Sequence, residues 1–163
     1  MKTTNNVKRI TTIGILTALN IVVARIFLIP VPMTRGFINL CDAGIMLAAL
    51  LFGANYGGLV GALSGFLLDL FAGAPQYMLF SLVIHGFEGW AAGKIGQNPT
   101  KKNLTLATIA AALIVGIGYL ICETILFKFS TAILEFPMNL LQGVVGSVVG
   151  ILLFWRLRKV IKF

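Results

Sequence analysis

Long apolar runs separated by short polar breaks dominate the chain. The first covers about Ile10–Ile29 and is stopped by Pro30 and Pro32, because proline disfavours helix at its own position and at the one before it. The stretch from Val31 to Gly44 is mixed and carries Arg35, Asn39 and Asp42. It reads as a long loop, one able to dip back among the apolar runs. A shorter run, Ile45–Phe52, is broken over Gly53-Ala54-Asn55-Tyr56-Gly57-Gly58. The third run is about Leu59–Ala72, and Gly73-Ala74-Pro75 forms a turn. The fourth covers about Tyr77–Gly93, followed by the polar stretch Lys94 to Asn103. The fifth is about Leu104–Leu126 and the sixth about Leu134–Trp155. At roughly 20 residues per crossing, the pattern predicts an all-α, polytopic membrane protein: a six-helix transmembrane bundle. Runs two and three are shorter than a full span, so they are expected to tilt or to pack centrally.

Composition agrees. Of 163 residues, 58% are hydrophobic and only 11% are charged, against about 25% charged in a soluble domain. Six crossings use most of the length, so residues 1–163 are expected to form a single transmembrane domain. The net charge of +8 comes from thirteen basic and five acidic residues, and its placement says more than its sum. Lys2, Lys8 and Arg9 precede the first run, Lys94, Lys101 and Lys102 share one loop, and Arg156, Arg158, Lys159 and Lys162 close the chain. These three clusters follow the positive-inside pattern and argue against nucleic-acid binding. Both termini and the Lys94–Asn103 loop are then cytoplasmic, in a multi-pass protein of the cell membrane. Arg35 and Lys128 are the exposed basic residues left outside. The first run has no small-residue cleavage site and reads as a retained helix. Cys41 and Cys122 show no metal or disulfide spacing and read as buried free thiols.

Small residues recur at Gly57, Gly61 and Gly65, and at Gly146 and Gly150. That spacing makes a flat stripe for close helix packing in lipid. Gly14 and Ala18 form a similar patch on the first helix, which suits either internal packing or a partner protein.

Ionisable groups inside apolar spans are costly unless paired or wet, so each is a candidate functional group. His85 and Glu88 lie one turn apart on the fourth run, Tyr119 and Glu123 four apart on the fifth, and Asn139 and Gln142 three apart on the sixth. At 1.5 Å per residue these groups fall at one level in the outer half of the bundle, as a cavity for a small polar ligand requires. Simpler readings stay open: His85 and Glu88 pairing with each other, Asn139 and Gln142 bonding between helices, and Asp42 and Asp69 capping helix ends. Catalysis finds little support. No phosphate-cradling Gly-rich loop ends in Gly-Lys-Ser/Thr, and Gly61-Ala62-Leu63-Ser64-Gly65 is no nucleophile elbow. His85-x-x-Glu88 is too sparse for a metal site without further ligands. A stand-alone channel or proton-coupled carrier, with Glu88 and Glu123 as relays, is the rival reading, and a structural membrane protein without a ligand is the third.

Asp42-Ala43 leads into Ala48-Ala49-Leu50-Leu51-Phe52-Gly53, then Gly57 to Gly65, Leu68-Asp69-Leu70, Gly73 and Ile84-His85-Gly86-Phe87-Glu88-Gly89. This series resembles the substrate-specific S components of energy-coupling factor (ECF) vitamin transporters, and Phe136-Pro137-Met138-Asn139-Leu140-Leu141-Gln142 continues the resemblance. It implies a non-enzymatic six-helix protein that needs no cofactor or metal and captures a vitamin from outside. Such a protein then joins a transmembrane coupling protein (the T component) and two cytoplasmic ATPases, toppling in the membrane to release its cargo. The family's small-residue patch on helix one, usually Ala-x-x-x-Ala, corresponds here to Gly14 and Ala18. The pattern is most similar to the subfamilies for pyridoxine-type vitamin B6 or hydroxymethylpyrimidine, with His85 where their pattern has lysine and Cys41 where it has glycine. Riboflavin or pantothenate are the alternative vitamins. A small heteroaromatic alcohol would stack on Tyr77 and Tyr119, with Asn139, Gln142, His85 and Glu123 meeting its hydroxyls and ring nitrogens and Glu88 beside His85. Arg35, Asn39 and Asp42 would touch it or latch the loop above it.

The charge pattern makes a direct prediction about topology. A cysteine introduced at Gln76 should react with a membrane-impermeant maleimide in intact cells, and one at Gln97 only after permeabilisation.

Overall fold

The computed structural model describes the backbone of residues 2–30 and 37–160 and, apart from residues 2–5 and 37, their side chains. Six helices account for nearly all of it: α1 (Lys2–Ile26), α2 (Cys41–Phe52), α3 (Ala54–Ala72), α4 (Met78–Ile95), α5 (Lys101–Leu126) and α6 (Phe129–Leu157). The stretch expected as a loop from Val31 to Gly44 instead contains part of a small antiparallel hairpin and the first turn of α2. The hairpin pairs β1 (Ile29–Pro30) with β2 (Phe37–Ile38), Ile29 opposite Ile38. The predicted six-residue break after Phe52 shrinks to Gly53, whose φ of 89° belongs to the left-handed region that glycine enters without strain. Helix α6 begins five residues before the predicted Leu134, because Lys128 is extended and the chain turns directly into the helix at Phe129.

Four helices are long and apolar enough to cross a membrane: Asn6–Ile26 within α1, Ala54–Ala72, Lys101–Leu126 and Phe129–Leu157. The other two fall short for different reasons. With 12 residues, α2 rises about 18 Å, against about 30 Å of hydrocarbon. Helix α4 has 18 residues, but His85, Glu88 and Lys94 interrupt its apolar sequence.

Helix α2 carries none of the exposed large apolar residues and touches α1, α3, α4 and α6. It is the centre of the bundle, as its shortness suggested. The other five helices all expose large apolar side chains, for example Ile15, Phe71, Val83, Ile121 and Leu152. Buried positions are filled largely by small and polar residues. That inversion suits lipid, where apolar surface gains nothing by hiding and helices associate through close packing and hydrogen bonds.

The glycine stripes face inward. A Cβ at Gly61 would fall on the carbonyl of His85, one at Gly65 would lie 2.7 Å from the Ser81 carbonyl oxygen, and one at Gly57 would lie 2.5 Å from that of Gly89. Helices α3 and α4 are therefore in backbone contact along three turns. On α6, a Cβ at Gly146 would come within 2.5 Å of Asp42 Cβ, and one at Gly150 within 2.6 Å of the Ala43 carbonyl. That stripe seats α2. At Gly14, by contrast, an added Cβ meets nothing.

Gly61→Ala should therefore destabilise the bundle by about 1–3 kcal/mol, read as a lower unfolding midpoint in detergent, while Gly14→Ala should leave the midpoint unchanged.

Candidate functional site

Charge is sorted by depth. All five acidic residues, Asp42, Asp69, Glu88, Glu123 and Glu135, are buried, whereas every lysine and arginine with a described side chain is exposed. Arg9 stacks its guanidinium over the Tyr56 ring, and a surface depression joins Arg9 and Lys94 to the α2–α3 junction. Two of the basic clusters thus converge on one end of the bundle. The polar interior lies at the other end, under the hairpin and the α3–α4 and α5–α6 turns.

There, Asn39, Gly65, Leu68, Asp69, Tyr77, Tyr119, Glu123, Glu135, Asn139 and Gln142 line a cavity of about 30 Å³, polar and roomy enough to hold water. Three helices, α3, α5 and α6, and the connecting residues Asn39 and Tyr77 contribute. Asn39, just after β2, donates its backbone N–H to Gln142 Oε1 at 3.0 Å and accepts the Cys41 N–H on its own Oδ1 at 2.6 Å. Asn139 Nδ2 donates to Glu123 Oε1 at 3.4 Å, joining α6 to α5. The Tyr77 and Tyr119 rings lie 6.4 Å apart at 58°, so they form two faces of a corner rather than a parallel slot. Gly65, the last glycine of the α3 stripe, is part of the wall, where the α3–α4 contact reaches the cavity. Beside the cavity lies an apolar groove of about 270 Å³ between Phe27, the hairpin and the Met138–Val145 face of α6. Asn39 and Gln142 line both spaces.

Asp42, His85 and Glu88 form a second group, behind Tyr119 and off the cavity wall. His85 Nδ1 is 2.8 Å from Glu88 Oε2 and 3.8 Å from Asp42 Oδ1. Its Nε2 is 3.2 Å from the Tyr119 hydroxyl, which lies 2.7 Å from Ser81 Oγ. Ser81 in turn faces the carboxyl of Asp69. A hydrogen-bonded line thus runs from the deep group to the cavity wall. Nearer α1, Asn20 Nδ2 donates to Ser64 Oγ at 3.0 Å, pinning that helix to α3.

Of the expected site residues, the structure gathers Asn39, Tyr77, Tyr119, Glu123, Asn139 and Gln142 around one cavity, and Asp42, His85 and Glu88 around one another. The pairing of His85 with Glu88, one of the simpler readings, is present. Arg35 lies outside the described residues. Gly14 and Ala18 are exposed and line a shallow apolar groove between α1 and α3 with Leu63, Leu67 and Phe71. Sequence reasoning misses Glu135, although it stands one turn before Asn139; Asp69, an ionisable group inside the third run with a cap as its simpler reading, is not in the expected site set. The signal available for both was that no acidic residue lies in a basic cluster or polar loop.

Comparisons with known proteins agree with this architecture. The family model for "ECF-type riboflavin transporter, S component" matches residues 4–159. The thiamine precursor transporter HmpT of Lactococcus lactis subsp. cremoris (strain MG1363) is 36% identical over 146 residues, 89% of this chain and 84% of that protein. An uncharacterized protein in gap 3'region of Pyrococcus woesei is 34% identical over 123 residues, 75% of this chain and 82% of that one. Among solved structures, the S-component for biotin from an ECF-type ABC transporter shares the fold, with a TM-score of 0.59 at 20% identity over 98% of this chain and 95% of that one. By sequence and by fold, the chain belongs to the S components of ECF-type transporters.

Proposed function

We propose that this S component captures the thiamine precursor hydroxymethylpyrimidine from outside the cell and delivers it to an ATP-driven coupling module. The observation that carries this reading is the chemistry of the cavity wall. It holds three carboxyl groups, from Asp69, Glu123 and Glu135, three carboxamides and two phenols, and, among the described residues, no lysine or arginine. Such a wall accepts hydrogen bonds and favours positive charge. A small aminopyrimidine carrying a hydroxymethyl group presents N–H and O–H donors on a flat ring, which suits it. A carboxylate-bearing vitamin such as pantothenate is disfavoured by like charge. The Lactococcus relative, a thiamine precursor transporter, points the same way.

With about 30 Å³ between the lining residues, a heteroaromatic ring is admitted only as they move outward. The Asn39–Gln142 bond beside the hairpin and the Tyr77 ring at the α3–α4 turn are the contacts that give way. Tyr77 and Tyr119 then flank the ring, while Glu123, Asn139 and Gln142 bond its polar edge. The remainder of the reading is a single domain of residues 1–163 crossing the cell membrane six times with both termini cytoplasmic. The exposed Gly14–Ala18 patch meets the transmembrane coupling protein, which is joined by two cytoplasmic ATPases.

Isothermal calorimetry on the purified protein should show tight binding of hydroxymethylpyrimidine and none of pantothenate. Strong binding of riboflavin or pyridoxine in its place would overturn the substrate. Glu123→Gln and Gln142→Ala should each weaken binding at least tenfold, about 1.4 kcal/mol, with the helical circular dichroism unchanged. Ala18→Trp should leave binding intact and abolish uptake by the assembled transporter; loss of binding would place that patch in internal packing.

A further inference from the structure

Behind the cavity, two carboxylates share one imidazole. Asp42 and Glu88 have no exposed surface and His85 is 3% exposed. Both Asp42 oxygens and Glu88 Oε1 are buried with no partner at hydrogen-bond distance and angle, although the Asp42 carboxyl faces that of Glu88 and the Gln142 carboxamide. Every lysine and arginine with a described side chain is exposed, so among these residues no permanent cation reaches the group. Two carboxylates beside a neutral imidazole carry a charge of −2, and an imidazolium still leaves −1. A buried charge left uncompensated in this way is strongly unfavourable.

We propose that Asp42, His85 and Glu88 bind a divalent metal ion of the zinc class within the bundle, with His85 ligating through Nδ1. One doubly charged cation cancels the two carboxylates and leaves the imidazole neutral. The spacing suits it. In a tetrahedral zinc site with bonds of about 2.0–2.2 Å, neighbouring donor atoms stand about 3.3 Å apart. The separations of 2.8 and 3.8 Å around His85 Nδ1 bracket that value, and among the described residues this is the group whose donor atoms all lie within 4.8 Å of one another. With three protein ligands, a water molecule would take the fourth position, as in other three-ligand zinc sites.

The surroundings match as well. A ligating histidine commonly has its other ring nitrogen fixed by a polar neighbour. Here Nε2 meets the Tyr119 hydroxyl, itself held by Ser81. One nitrogen and two carboxylates favour zinc, iron(II) or manganese over soft copper(I) or hard calcium. The third ligand comes from α2, which explains why His85-x-x-Glu88 alone looked too sparse. The ion ties α2 to α4 and, through His85, fixes the Tyr119 hydroxyl at the cavity wall.

The test uses the full chain in detergent, purified on a tag without histidine, incubated with zinc and then freed of loose metal. Mass spectrometry of elements should find one zinc ion per chain, and added zinc should raise the unfolding midpoint. Asp42→Asn and Glu88→Gln should each reduce the zinc content at least tenfold. Because either variant can fail to fold, wild-type protein loaded with cadmium supplies a second readout. The single histidine should show metal–nitrogen coupling at Nδ1 by NMR. Zinc at background level, zinc content unchanged in both variants, or cadmium without coupling to the histidine each overturns the site; the first of these means that a proton shared by Asp42 and Glu88 neutralises the cluster. None of these readouts depends on which vitamin the cavity binds.

Discussion

The backbone contact between α3 and α4 is the constraint on which the rest of the molecule depends. Lipid offers no drive to bury large apolar groups, so two helices stay together only where their surfaces come close enough for many weak contacts and for hydrogen bonds. Gly57, Gly61 and Gly65 provide that approach against Gly89, His85 and Ser81. Because α4 lies so close, Ser81 and His85 reach across to Tyr119 on α5, and Glu88 comes under α2. A side chain in the stripe would separate the line from Ser81 through Tyr119 to His85 from the cavity that Gly65 helps to line. Packing and chemistry here are one arrangement.

The same solvent explains the distribution of charge. A soluble protein puts acids and bases together on its surface; this one divides them by depth. Its basic residues with described side chains are exposed and its five acids are enclosed. Burial without a matching lysine or arginine makes the interior strongly electronegative. It divides into two regions, a wall of carboxyls and amides around the cavity and the tighter Asp42–His85–Glu88 group beneath it. Tyr119 belongs to both, since it lines the first and bonds the histidine of the second.

Much of this was legible in the sequence. Each apolar run became a helix, and the glycine spacing identified the faces that pack. Tyr119 with Glu123, and Asn139 with Gln142, were readable as inward-facing because their separations of three and four residues put each pair on one helical face. What the sequence could not reveal was which helix meets which. Asp42 joins His85 and Glu88 only because α2 lies in the centre against α4, and no periodicity encodes that pairing. Glu135 falls beside the predicted start of the sixth helix, where an acid ordinarily faces water; the true start at Phe129 draws it a turn and a half inside. The hairpin was hidden because its strands are two residues long, too short for an alternating pattern to register.

Asn39 does several jobs within one residue. It follows the second strand, its side chain receives the first amide of the central helix, its own amide holds Gln142, and it borders both the polar cavity and the apolar groove. Cargo recognition and the anchorage of the innermost helix therefore share a single fastening. A guest that competes for Gln142 loosens the clasp on the bundle's axle, and a substitution that tightens the clasp also narrows the doorway. In this molecule selectivity and rigidity at that end cannot be adjusted independently.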